Sequence, residues 1–183
     1  MTIIEQIKQL AVQHHPEIVR IRRHLHQHPE LSFHEYETAA YVAARLSELG
    51  IPFKDKVADT GLVAIIEGKN PGKTVALRAD MDALPITEEN EVAYKSQNPG
   101  VMHACGHDVH TSSLLGVAHI LNQLKNQMTG TVKLIFQPGE EKRPGGASIM
   151  IREGALLDPV PEVIFGQHVY PDAPSGHIGF VPG

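Results

Sequence analysis

One cysteine, Cys105, is all the thiol this 183-residue chain has, so it can close no internal disulfide. That scarcity suits a reducing compartment, and a cytoplasmic location is expected. Positive charge is also short. Sixteen Lys and Arg stand against 21 Asp and Glu, a formal net charge of -5. Without a basic stripe, nucleic acid is not an expected partner. Long apolar runs are missing too. The opening stretch, "MTIIEQIKQLAVQHHPEIVRIRRHLHQHPE", alternates charged and apolar residues, so it reads as neither a signal peptide nor a membrane span. No membrane partner is expected. Gly145 and Gly146 build no phosphate-binding loop, because the strand–GxxxxGK[ST]–helix arrangement is absent. No serine-centred nucleophile elbow, internal repeat or low-complexity linker occurs either.

What remains is an ordinary globular composition, 42% hydrophobic and 20% charged, in a chain long enough for one buried core. Ile4, Ile7, Leu10, Ala11, Ile18 and Ile21 recur at helical spacing from Ile3 to about His26, with an interruption predicted at Pro16. A second helix is predicted from about His34 to Leu49, stopped by Gly50. "GLVAIIEG" and "KTVALRADM" read as strands joined by a tight turn, "GKNPGK". Pro85 to Gly100 reads as irregular. A long helix from about Val109 to Met128 precedes a strand, "GTVKLIFQP". A short helix around Ala147 to Arg152 and strands "EVIFGQH" and "GHIGFVPG" complete the pattern. The alternation predicts an α/β fold, a mixed sheet with helices on both faces.

Chemistry-bearing residues collect after the strands, where open α/β sheets hold ligands. "TVALR" leads to Asp80 and Asp82, "VKLIFQPG" to Glu140 and Glu141, and "EVIFGQ" to His168. "MHACGHDVHT" adds Cys105 and His107 just before the long helix. Residues two apart lie about 200° apart on a helix, so a shared site requires an extended or looped backbone, which Gly106 permits. A thiolate and an imidazole suit zinc and its late-transition neighbours; the alternative is an inert buried cysteine. Glu140 and Glu141 are adjacent and, if extended, face opposite ways. One could bind a metal while the other works on its water, or both could belong to a solvated charged turn. Asp80 and Asp82 could bind metal, orient a ligand histidine or cap the loop. His168 could equally be a core histidine. Among 12 histidines, His24, His26 and His28 diverge at a helix end, and His103 and His110 are less favoured as ligands.

The segments "RRHLHQHPELSFHEYETA", "ALRADMDALPI", "MHACGHDVHTSSLLG", "IFQPGEE" with "GGA", and "GQHVYPDAPSGHIG" resemble, in this order, the metal-dependent amidohydrolases of N-acyl amino acids. That group includes hippurate hydrolase and the indoleacetyl-amino-acid hydrolases. The resemblance implies a zinc-exopeptidase-like catalytic domain and a pair of divalent ions, with zinc, manganese, cobalt or nickel as candidates. It implies Cys105, His107, Glu141 and His168 as metal ligands and Glu140 as general base. Asp82 falls at a carboxylate that orients a ligand, and Asp80 where the broader clan has a metal-binding histidine. The implied reaction cleaves an N-acyl amino acid into a carboxylic acid and a free amino acid. Relatives continue into a lid and dimerisation domain and a C-terminal return that carries one more histidine ligand. Residues 1–183 therefore resemble the N-terminal part of the catalytic domain. The alternative is a non-catalytic fragment that binds metal or a partner. A second copy or a complementing C-terminal segment are the protein partners left open.

Overall fold

A computed structural model describes residues 1–180 of the chain. α1 (Ile3–Gln27) opens with a capping box, in which Thr2 and Glu5 satisfy each other's first-turn N–H groups. It runs unbroken through Pro16, contrary to the predicted interruption. Proline removes one backbone hydrogen bond, but the turns after it bury Ile21, Leu25 and His26. α2 (Tyr36–Glu48) buries Thr38, Val42 and Leu46, one residue per turn on a single face.

Among the described residues five strands form one sheet in the order β1-β2-β4-β3-β5: β1 (Phe53–Val57), β2 (Gly61–Glu67), β3 (Asn70–Asp80), β4 (Thr129–Gln137) and β5 (Val163–Gly166). β1 is an element the sequence pattern did not suggest; its residues run "FKDKV" and lie mostly in solvent. β4 pairs antiparallel with β2 and parallel with β3, and β5 runs parallel to β3. The sheet is mixed, as expected. The β2–β3 link is not the turn of a hairpin, because β4 lies between those strands. Gly68, Lys69 and Asn70 instead hydrogen-bond to residues 125–130 at the start of β4. β5 pairs β3 on one side and exposes Val163, Ile164 and Phe165. Residues 176–180 are not strand, and Val181 to Gly183 of the predicted last strand lie outside the described residues.

α3 (His107–Leu124) continues into a short 3-10 turn, Lys125–Gln127, so the long helix begins two residues earlier than its apolar stripe suggested. α4 (Gly146–Arg152) is short. Strand alternation sends Leu62, Ala64, Ile66, Leu134 and Phe136 into one core layer with Ile21, Leu25, Val42, Leu46 and Leu114 from α1–α3. Val63, Ala76 and Ile135 face the other layer, where they meet Met150 of α4 and Ala155. Helices therefore cover both faces, three against one. Among the described residues no helix is long and apolar enough to cross a membrane.

Phe136 is fully buried at the centre of the sheet. Replacing Phe136 by alanine should lower unfolding free energy by about 3–5 kcal/mol, read from urea titrations followed by circular dichroism.

Candidate metal centre

The parallel strands β3, β4 and β5 end on one edge of the sheet, and the polar segments follow them as expected. The irregular stretch after β3 is tied in place. Ala83 N–H donates to Glu30 O at 2.8 Å, and Leu84 and Met102 exchange two backbone bonds of 3.0 Å. That bridge carries the chain to Cys105 and the start of α3.

Asp82 lies two residues past β3 and is 1% exposed. Its Oδ1 accepts from His107 Nδ1–H at 3.2 Å, and its Oδ2 accepts from Ser32 Oγ at 2.6 Å and Glu141 N–H at 2.9 Å. Burial pushes the Asp82 pKa up, but donors from His107, Ser32, Glu141 and Glu140 outweigh it and hold the value at about 2. Because Asp82 accepts the hydrogen bond from Nδ1–H, His107 presents Nε2, and that atom is buried without a hydrogen-bond partner. Burial lowers the His107 pKa, yet the hydrogen bond to Asp82 and the charges of Asp80, Asp82 and Glu141 raise it overall. The field at Nε2 thus favours positive charge. A proton or a metal ion answers the same field.

Gly106 has φ +86°, a left-handed turn, and a Cβ there would run into the Val169 side chain. This turn lets Cys105 and His107 meet one site although only one residue separates them. Cys105 Sγ stands 3.4 Å from His168 Nε2, while His168 Nδ1 is held by Val169 O at 2.7 Å. Two atoms bound at about 2.0–2.3 Å to one tetrahedral ion stand about 3.5 Å apart, so this pair has the spacing of co-ligands. Burial, with the charges of Glu141, Asp80 and Glu140 behind it, pushes the Cys105 thiol up to about 12. A cation among these donors would favour the thiolate instead. The donor set fits a metal ion.

All five expected residues meet. Donor atoms of Cys105, His107 and His168 lie within 4.8 Å of one another, and so do those of His107, Glu140 and Glu141. His107 is shared. Glu140 and Glu141 do not face opposite ways as adjacent extended residues would; the chain bends at Glu140, and both turn toward His107. A third group, Asp80, His107 and His110, is equally close, and both ring nitrogens of His110 are already engaged. Asp80 Oδ1 takes His110 Nδ1–H at 2.6 Å, Asp80 Oδ2 faces the Arg78 guanidinium at 2.6 Å, and His110 Nε2 accepts Val169 N–H at 2.9 Å.

His110 is therefore a residue the sequence reading undervalued. It links the end of β3 to Val169, and so steadies His168 beside it. Its spacing of three from His107, one helix face, was the available signal. Ser32 gave no signal. Of the amino-terminal histidines, His26 is drawn to Asp108 (2.7 Å) and Glu88 (3.0 Å), pinning α1 to the first turn of α3. His103 is buried with neither ring nitrogen bonded, and burial lowers its pKa to about 4.

Residues 76–183 match the model of peptidase family M20/M25/M40. Over 179 residues the chain is 46% identical to an N-acyl-L-amino acid amidohydrolase of Geobacillus stearothermophilus, covering 98% of this chain and 48% of that one. It is 44% identical over 167 residues to an N-acetyl-L-cysteine deacetylase of Bacillus subtilis, covering 91% and 39%. The crystal structure of the Bacillus subtilis YXEP protein, described as a dinuclear metal-binding peptidase of the M20 family, superposes with TM-score 0.87 at 44% identity, covering 92% and 47%. The chain thus spans less than half the length of these relatives.

Two outcomes are expected for Asp82→Asn. Cobalt(II) affinity, titrated by absorption, should fall about 10–100-fold as His107 loses its orienting partner. The second concerns acid stability. Because the folded Asp82 pKa lies below its usual 3.8, its contribution is present above that value and is lost as pH falls toward about 2. Urea unfolding of the metal-free protein should therefore fall less steeply over that window in the variant.

Proposed function

Because the chain belongs to peptidase family M20/M25/M40, we propose that the protein hydrolyses the amide bond of N-acyl amino acids, using two divalent metal ions. The products are a carboxylic acid and a free amino acid. The observation that carries this reading is the pair of donor groups, Cys105 with His168 and Glu140 with Glu141, that share His107, whose Nε2 is buried without a partner. Relatives named for N-acyl-amino-acid hydrolysis and N-acetylcysteine deacetylation support the substrate class.

In this reading Cys105, His107, Glu141 and His168 hold the ions. Thiolate, imidazole and carboxylate together suit zinc, cobalt, nickel or manganese better than magnesium. Bound ions supply Lewis acidity toward the amide carbonyl and toward water. Glu140 takes the proton from the attacking water and hands it to the departing amine. Two features support that role. Its carboxylate lies within 4.8 Å of the donor atoms of His107 and Glu141, and it remains exposed, where a proton can come and go. Asp82 keeps the Nδ1 proton on His107, so that Nε2 stays the ligand atom.

A second reading has the chain bind metal without turnover. The exposed apolar side chains of β5, next to an exposed His168, favour it, since an uncovered strand edge awaits a further element. Metal analysis with a hippurate assay separates the two. About two ions per chain with release of glycine supports the hydrolase; two ions without release supports the binding reading.

For Glu140→Gln, turnover of hippurate should fall by about 10²–10⁴-fold while metal content stays at the wild-type level. Joint loss of metal and turnover would remove Glu140 from the role of base.

A further inference from the structure

Glu35 is 0% exposed, a carboxylate sealed beneath the centre. Its Oε1 accepts two backbone N–H groups, Phe33 at 3.0 Å and Gly139 at 2.8 Å, and its Oε2 accepts the Thr60 hydroxyl at 2.6 Å. The Gly139 bond spans 104 residues of chain. It reaches the residue immediately before Glu140 and Glu141.

Gly139 is gripped from a second side. It has φ +54°, and a Cβ there would run into the ring of Phe33, the residue whose own N–H shares Oε1 of Glu35. Two residues further on, the N–H of Glu141 is taken by Asp82. The acid pair is thus strung between two buried carboxylates. Glu35 holds the amide before it, and Asp82 holds the amide of its second member.

We propose that Glu35 is a positioning residue for the acid pair: by fixing the Gly139 amide it sets the direction from which Glu140 and Glu141 approach His107. Burial pushes the Glu35 carboxyl above its usual value, and the hydrogen bonds from Thr60, Gly139 and Phe33 oppose that shift, so these donors and the carboxylate hold one another in place. Glycine at 139 would otherwise leave the loop free to swing. Asp82 acts on the backbone of the pair itself, whereas Glu35 holds the residue from which the pair departs, so the two carboxylates together define the path of the segment.

The proposal rests on the metallohydrolase reading, and the test keeps the two apart. In the full chain, three quantities are compared for wild type, Glu35→Ala, Glu35→Gln and Thr60→Val. They are hydrogen exchange at the Gly139 amide, cobalt(II) affinity from the thiolate-to-cobalt absorption, and thermal stability. In Glu35→Ala the Gly139 amide should lose protection and cobalt affinity should fall about 10–100-fold. Where turnover is followed, kcat should fall with KM little changed. Glu35→Gln keeps an oxygen for both N–H groups and should stay within about threefold of wild type. Thr60→Val removes a donor from the same carboxylate, so it should lower stability yet leave cobalt affinity within about threefold.

A folded Glu35→Ala protein that binds cobalt like wild type overturns the proposal. So does a loss in Thr60→Val as large as that in Glu35→Ala, because affinity would then simply follow stability. If Glu35→Ala does not fold, Glu35→Asp, shorter by about 1.5 Å, replaces it with the same expectations. Failure of the wild-type chain to bind cobalt sinks the metallohydrolase reading instead. Exchange at Gly139 then decides alone, and unchanged protection in the Glu35 variant overturns the positioning role.

Discussion

The carboxylate of Asp82 joins three parts of the chain at one point. Ser32 comes from the turn between α1 and α2, His107 opens α3, and Glu141 follows β4. Each gives a hydrogen to an acceptor-only group, so a single carboxylate sets their relative positions. Without Asp82, His107 would be free to turn its other nitrogen inward. The loop after β4 would lose the tether nearest to its acids.

The same device recurs around the centre. Glu35 holds Gly139, and Asp80, acting through His110, holds Val169 beside His168. Three buried carboxylates thus steady the loops that follow α1, β4 and β5. Burying so much negative charge is costly in the absence of a partner. Burial first, and then Glu141, Asp80 and Glu140, push the Cys105 thiol up to about 12, while against its burial Asp82, Asp80 and Glu141 draw the His107 ring toward its cationic form. Both are answered by a cation in the space they share. Support of the loops and attraction for metal are therefore one electrostatic arrangement.

Much of the fold was legible. Helical periodicity located α2 and α3, and apolar runs located β2, β3 and β4, because those signals are local and follow from side-chain burial. The failures have physical causes. β1 is mostly exposed, so it carries no apolar alternation and is held by pairing with β2. Pro16 was expected to break a helix that passes through it, since propensity is a weaker force than the packing of the turns beyond. The link between β2 and β3 is short, as expected, yet the two strands do not pair, because β4 inserts between them, a pairing that no local pattern encodes.

The centre divides in the same way. By itself the sequence determined which residue types stand after which strands, since ordered motifs and strand ends are written in neighbouring letters. It therefore gathered Asp80, Asp82, Cys105, His107, Glu140, Glu141 and His168 at one sheet edge, and the resemblance of its motifs singled out Cys105, His107, Glu140, Glu141 and His168. Only the tertiary structure decided how they are held: that Glu140 and Glu141 turn the same way, that Asp80 is spent on His110 and Arg78, and that Glu35 grips Gly139. Hydrogen bonds between residues 30 to 104 positions apart have no local signature, and their geometry exists only once the sheet has brought its strand ends together.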